Sequence, residues 1–72
     1  MIECNNVKEL VEKCSEYHLT IGTLAVICGI NKSQMRQYAV GIRNPSSKTI
    51  AKINEKIRIF ADELKEFQIT DA

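Results

Sequence analysis

An apolar repeat in the last third of the sequence restricts the fold most strongly. From Ile50 onward, apolar residues recur at alternating steps of three and four, and no Gly or Pro interrupts the stretch through Ile69. Such steps place side chains on one face of an α-helix, so the repeat predicts one long helix over about 47–68. That helix is about 30 Å long, more than a small domain needs. The repeat consists of Ile50, Ile53, Ile57, Phe60, Leu64 and Phe67.

Capping residues and glycines divide the preceding chain into three shorter helices. Asn, Thr and Ser are favoured N-caps, and glycine commonly ends a helix in the left-handed conformation. The first predicted helix begins after Asn5 or Asn6 and ends near His18, the second lies between Thr20 and Gly29, and the third covers about 32–40, between Asn31 and Gly41. We therefore expect an all-α bundle of four helices, or five if the last is broken, in one domain over 1–72.

Charge is distributed unevenly along the chain. Residues 18–60 carry seven basic side chains and one acidic side chain, whereas residues 1–17 and 61–72 are both net acidic. The net charge of the whole chain is only +1. The basic middle indicates a polyanionic partner, with an ordinary solvated surface as the alternative.

The sequence contains no recognisable catalytic or metal-binding pattern. The three cysteines are widely spaced and lack the paired spacing of a zinc site, even with His18 included, so we expect reduced thiols in the cytoplasm. No Ser/His/acid set and no phosphate loop occurs, and we expect neither an enzyme nor a cofactor. The absence of a long apolar run predicts a protein that does not enter the membrane.

Residues 19–50 resemble the Cro/phage-repressor, XRE-like type of helix-turn-helix. The matching positions are Leu19-Thr20, Leu24-Ala25, Gly29, Asn31, Tyr38, Gly41, Arg43-Asn44-Pro45-Ser46 and Thr49-Ile50. The resemblance implies a λ-repressor-like bundle whose third helix is the recognition helix. The stretch from Met35 to Ile69 also resembles the C-terminal helix-turn-helix of HicB-like antitoxins.

The resemblance implies two sets of DNA contacts. Residues expected at base edges, or at the adjoining groove wall in the case of Arg36, are Asn31, Lys32, Ser33, Arg36 and Gln37. Residues expected at phosphates are Thr20, Gly22, Arg43, Ser47 and Lys48. Lysine can read guanine and glutamine can pair with adenine, so the residue types agree with this role. For Lys48, a solvated surface lysine is an equal alternative.

The sequence departs from the family pattern at two places. The family often has a DNA-contacting Gln after Leu-Thr, where this chain has Ile21. Many relatives also bury an ion pair at two positions that are Cys14 and Ala39 in this chain. We expect these two residues to replace the ion pair with apolar packing.

The leading functional prediction is a sequence-specific, repressor-type DNA-binding regulator that acts as a dimer. Its expected dimer interface is Ile57, Phe60, Leu64 and Phe67, with folding of these residues over the first helix as the alternative. A second prediction is a protein-interaction or antitoxin-like module that uses the same fold to bind a protein partner.

Overall fold

A computed structural model describes residues 2–71, which form four α-helices and no strand. The helices are α1 (Val7–Ser15), α2 (Ile21–Cys28), α3 (Lys32–Ala39) and α4 (Ser47–Lys65). The predicted all-α bundle is confirmed, and α4 is unbroken. The two end positions of the predicted domain, 1 and 72, lie outside the described residues.

All four helices begin at a polar side chain that accepts a hydrogen bond from a backbone amide of the first turn. Asn6 caps α1, Thr20 caps α2, Asn31 caps α3 and Ser46 caps α4. The distances range from 2.8 Å for Asn31 Oδ1 to 3.2 Å for the hydroxyls of Thr20 and Ser46. Each cap satisfies an amide for which an α-helix offers no acceptor of its own.

The first three helices end in the same hydrogen-bonding pattern. A residue with positive φ follows each helix: His18 at 64°, Gly29 at 67° and Gly41 at 83°. The next amide then reaches back five residues, as from Leu19 to the Cys14 carbonyl at 3.0 Å. This is the Schellman motif, which glycine adopts without strain. The prediction that Gly29 and Gly41 end the second and third helices is therefore confirmed. His18, by contrast, adopts a left-handed backbone conformation that is unfavourable for a residue with a Cβ atom.

The core forms around α2, which packs against each of the other three helices, while α1 also packs against α3. The least exposed large side chains of the core are Leu24, Cys28 and Met35. Tyr38 is also buried, and its hydroxyl accepts a 2.6 Å hydrogen bond from Gln34 Nε2. Ile53 of α4 belongs to one buried cluster with Cys28, Met35 and Tyr38.

The second half of α4 leaves the bundle. Ile53 is 3% exposed, Ile57 and Phe60 are partly buried, and Leu64 is 56% exposed. Leu64 and Phe67 are exposed, so this end of the repeat does not fold over the first helix, whereas Ile57 packs against the core cluster that includes Val7 of α1. The predicted helix was also three residues too long, since it ends at Lys65 where no neighbouring helix supports it.

Candidate nucleic-acid interface

The outer face of α3 carries most of the side chains predicted to contact bases. Lys32, Ser33 and Arg36 are exposed, as is the cap residue Asn31. Asn31 Oδ1 accepts a hydrogen bond from the Ser33 amide at 2.8 Å, which leaves the side-chain NH₂ group to donate outward. These four residues therefore form one solvated surface that runs from the N-cap of α3 to Arg36 in its last turn.

Gln37, the fifth residue predicted at a base edge, is partly buried. Its backbone carbonyl accepts from the amides of Ile42 and Arg43 at 3.1 and 3.3 Å, so the turn after α3 closes over this position. Arg43 itself is exposed and is held beside the end of α3 by the same contact. The structure thus brings Arg43 beside Gln37 near the C-terminal end of α3.

The start of α2 offers backbone amides to the candidate interface, and it has no charged side chain of its own. Thr20 accepts from the Thr23 amide, and the two hydroxyls lie 3.0 Å apart. Ile21 and Gly22 occupy the first turn, where amides have no intrahelical acceptor. Ile21, the residue in place of the family's DNA-contacting Gln, packs against the core. The sequence showed that Ile21 lacks polar groups, but only the fold shows what it contacts.

Lys32 is placed against the start of α2. A Cβ built on Gly22 would lie 3.5 Å from Lys32 Cε and 3.7 Å from Lys32 Nζ. The N-terminal end of a helix carries a partial positive charge, so a cation there is electrostatically unfavourable for the protein alone. The same placement strengthens the attraction for an anion. It also brings Lys32, a predicted base contact, next to Gly22, a predicted phosphate contact.

Lys52 of α4 has a structural role at the C-terminal end of α2 that the sequence did not reveal. Lys52 Nζ donates a 3.2 Å hydrogen bond to the carbonyl oxygen of Gly29, the residue that ends α2. A cation is favourable at a helix C-terminus, where carbonyl groups are unsatisfied. This contact spans 23 positions of sequence, and no local pattern could have predicted it.

Acidic side chains are missing from the starts of α2, α3 and α4. The first turn of α1 contains Glu9, but no acidic residue occupies the first turn of any of the other three helices. Asp and Glu are normally favoured there because they offset the partial positive charge. Ser47 and Lys48, both exposed, lie in the first turn of α4. Three helix starts therefore favour an external anion.

Two of the cysteine thiols have raised pKa values. Burial raises the pKa of the Cys28 thiol, and the nearby Cys14 raises it further, while Lys52 acts in the opposite direction. Burial and Cys4 raise the pKa of Cys14 in the same way. Residues 2–71 contain no group of three or more His, Cys, Asp or Glu arranged to hold a metal ion.

None of the four helices that the structure describes combines the length and apolar composition needed to cross a membrane. No family model matches the chain, and no curated protein or solved structure matches it either.

Proposed function

We propose that this protein is a sequence-specific DNA-binding regulator of the repressor type, which inserts α3 into the major groove and acts as a dimer. The resemblance of residues 19–50 to the Cro/phage-repressor helix-turn-helix and the arrangement of α2 and α3 support this function. The observation that carries it is the position of Lys32. Its ammonium group lies beside the positive end of α2, and no ion pair joins it to a carboxylate of residues 2–71.

An anion near Lys32 gains from two sources at once. The unpaired amides at the start of α2 donate hydrogen bonds, and the lysine adds a full positive charge. A DNA phosphate is such an anion, and contacts to phosphate position the protein on the duplex. Thr20 and Gly22 have this role in the proposal. Arg43, Ser47 and Lys48 supply phosphate contacts from the loop and the start of α4.

Base recognition in the proposal belongs to the exposed face of α3. Asn31 and Ser33 offer hydrogen-bonding groups, and Lys32 and Arg36 suit guanine O6 and N7. Gln37 contributes least, because its side chain is partly buried.

The proposal is tested by fluorescence anisotropy with the DNA upstream of the protein's own gene and a scrambled duplex of equal length. We expect preference for the upstream DNA and a steep loss of affinity with salt, since phosphate contacts release counterions. Lys32→Ala should weaken binding roughly 10- to 100-fold. Lys65→Ala is the matched control, because Lys65 is exposed at the far end of α4 and pairs weakly with Asp62 at 3.9 Å.

Equal effects of the two lysine substitutions would show nonspecific attraction to a basic protein. Absence of binding to any duplex at low salt would overturn the proposal.

The exposed apolar residues after α3 favour a second candidate, in which the partner of this surface is a protein. Val40 is 61% exposed and Ile42 is 79% exposed. Two apolar side chains beside the proposed DNA-binding surface suit a protein contact, as an antitoxin-like module would make. Salt dependence separates the candidates, because a protein complex formed through apolar contacts lacks the steep counterion effect of DNA.

A further inference from the structure

A groove opens between α1, the turn after α3 and the first half of α4. Its volume is about 500 Å³, which lies within the usual range of small-molecule sites. The space arises where α4, which packs closely against α2, stands farther from α1 and α3. Ligand sites in helical proteins commonly occupy such spaces between the helices.

The apolar lining of the groove reaches from the core to the surface. The buried side chains of Val7, Tyr38 and Ile53 belong to this lining, and they come from three different helices. Val40 and Ile50 line the same groove although both are exposed. An apolar molecule in the groove would remove these two side chains from water, which is favourable.

The polar residues of the groove include a cation but no carboxylate. None of the acidic residues within 2–71 lines it, although Glu3 and Glu9 lie close to lining residues in the sequence. Each asparagine side chain can donate hydrogen bonds through its NH₂ group. The groove therefore combines hydrogen-bond donors and one positive charge with an apolar lining. Its polar side chains are Lys8 and the four asparagines Asn5, Asn6, Asn44 and Asn54.

We propose that this groove binds a small apolar carboxylate, an acid that carries an aryl or alkyl group. The apolar body covers Val40 and Ile50, while the carboxylate lies near Lys8 and accepts hydrogen bonds from asparagine side chains. A cationic ligand finds no carboxylate to pair with, and removal of an unpaired charge from water is unfavourable.

The site adjoins the proposed DNA surface without depending on it. One wall of the groove is the turn after α3, and the exposed Arg43 belongs to the same turn. The inference goes beyond the proposed function, because the ligand is measured in the absence of DNA. Failure of DNA binding would leave the result intact.

The test is isothermal titration calorimetry of the full chain against three probes that share one apolar body: phenylbutyrate, phenylbutanol and phenylbutylamine. We expect phenylbutyrate to bind with a dissociation constant of roughly 0.1–1 mM. Phenylbutanol should bind at least about threefold more weakly, and phenylbutylamine at least about tenfold more weakly, because neither carries the negative charge that pairs with Lys8.

Two substitutions make the groove more negative and are compared with an equal change of charge elsewhere. Lys8→Met removes the cation, and Asn54→Asp adds a carboxylate in a side chain of nearly the same shape. Each should weaken phenylbutyrate binding about three- to tenfold and leave phenylbutanol within about twofold. Lys65→Met is the matched control, because Lys65 lies at the end of α4, outside the groove, and this variant should bind both probes as the wild type does.

A larger side chain at the groove locates the site. Ile50→Trp should abolish binding of all three probes. Ile59→Trp is its matched control, because Ile59 is a similarly exposed residue of α4 that does not line the groove. Circular dichroism verifies that each variant remains folded.

Three results would overturn the inference. Phenylbutyrate binding that survives in Ile50→Trp would place the ligand elsewhere. Phenylbutanol that binds the wild type as tightly as phenylbutyrate does would remove the carboxylate as the ligand class. Absence of saturable binding up to about 10 mM phenylbutyrate would remove the site itself.

Discussion

Lys32 and Lys52 lie at opposite ends of α2. The Lys32 side chain lies over Gly22 in the first turn, whereas Lys52 donates a hydrogen bond to the carbonyl of Gly29 at the other end. Since the helix dipole favours a cation only at the C-terminus, one lysine supports the fold and the other opposes it slightly. A cation at an electrostatically unfavourable position is more readily explained by binding than by stability.

Substitution of these two lysines should have opposite effects. We expect Lys52→Met to lower the free energy of unfolding by about 0.5–1 kcal/mol, because it removes the contact to Gly29 but retains the aliphatic stem. Lys32→Met should leave the free energy of unfolding unchanged or raise it by roughly 0.3 kcal/mol. Urea titration followed by circular dichroism measures both. A larger loss in the Lys32 variant would contradict the proposed division of roles.

Gly22→Ala should stabilise the free protein and weaken DNA binding. Gly22 lies within α2, and the nearest atom to an added Cβ would be Lys32 Cε at an ordinary 3.5 Å. Alanine in a helix is more favourable than glycine by roughly 0.5–1 kcal/mol. If a phosphate approaches this backbone closely, the methyl group obstructs it. Thermal melting and anisotropy on the same sample test the two effects, and unaltered DNA affinity would remove Gly22 from the proposed interface.

His18→Gly should raise the free energy of unfolding by about 1 kcal/mol. His18 has a φ of 64° at the Schellman turn after α1, where a side chain is strained and glycine is not. His18→Ala retains the strain of a Cβ and is the matched control, for which we expect little change. Equal stabilities of the two variants in urea would show that backbone conformation at residue 18 does not limit stability.

The free energy of unfolding should fall as the pH rises through about 9. Burial raises the pKa of the Cys28 and Cys14 thiols above the ordinary value of 9.0. The unfolded chain therefore loses these protons first, so it binds fewer protons than the folded chain in this window, and the linkage relation gives a negative slope. Urea titrations between pH 8 and 9.5 measure the slope.

Replacement of both thiols, Cys14→Ala with Cys28→Ala, should flatten the slope, whatever its effect on absolute stability. A slope that is unchanged in this double variant would assign the pH dependence to other groups.

The sequence predicts local features of this chain well and long-range contacts poorly. The caps of the first three helices and the turns at Gly29 and Gly41 were predicted because each depends on neighbours within a few positions. The Lys52–Gly29 contact, the burial of Gln37 and the left-handed His18 were not predicted. The first two depend on how elements pack. The third depends on a Schellman turn that the chain forms even though histidine is a poor residue for it.

The end of α4 was misjudged for a related reason. A repeat of apolar residues shows which face a helix would bury, but not whether any surface is present to cover it. Ile50 illustrates this, because it belongs to the repeat and remains 46% exposed, whereas Ile53 one turn later is buried. The helix stops at Lys65 although the apolar pattern continues to Phe67.

The projecting half of α4 gives this protein a helix end that its own core does not stabilise. Isolated helical turns are marginal in water, and Leu64 in the last turn of α4 is largely exposed. These turns should therefore fray in dilute solution while the bundle stays intact. Any molecule that covers Leu64 and Phe67 would order them, so binding at this end would add helix without altering the core.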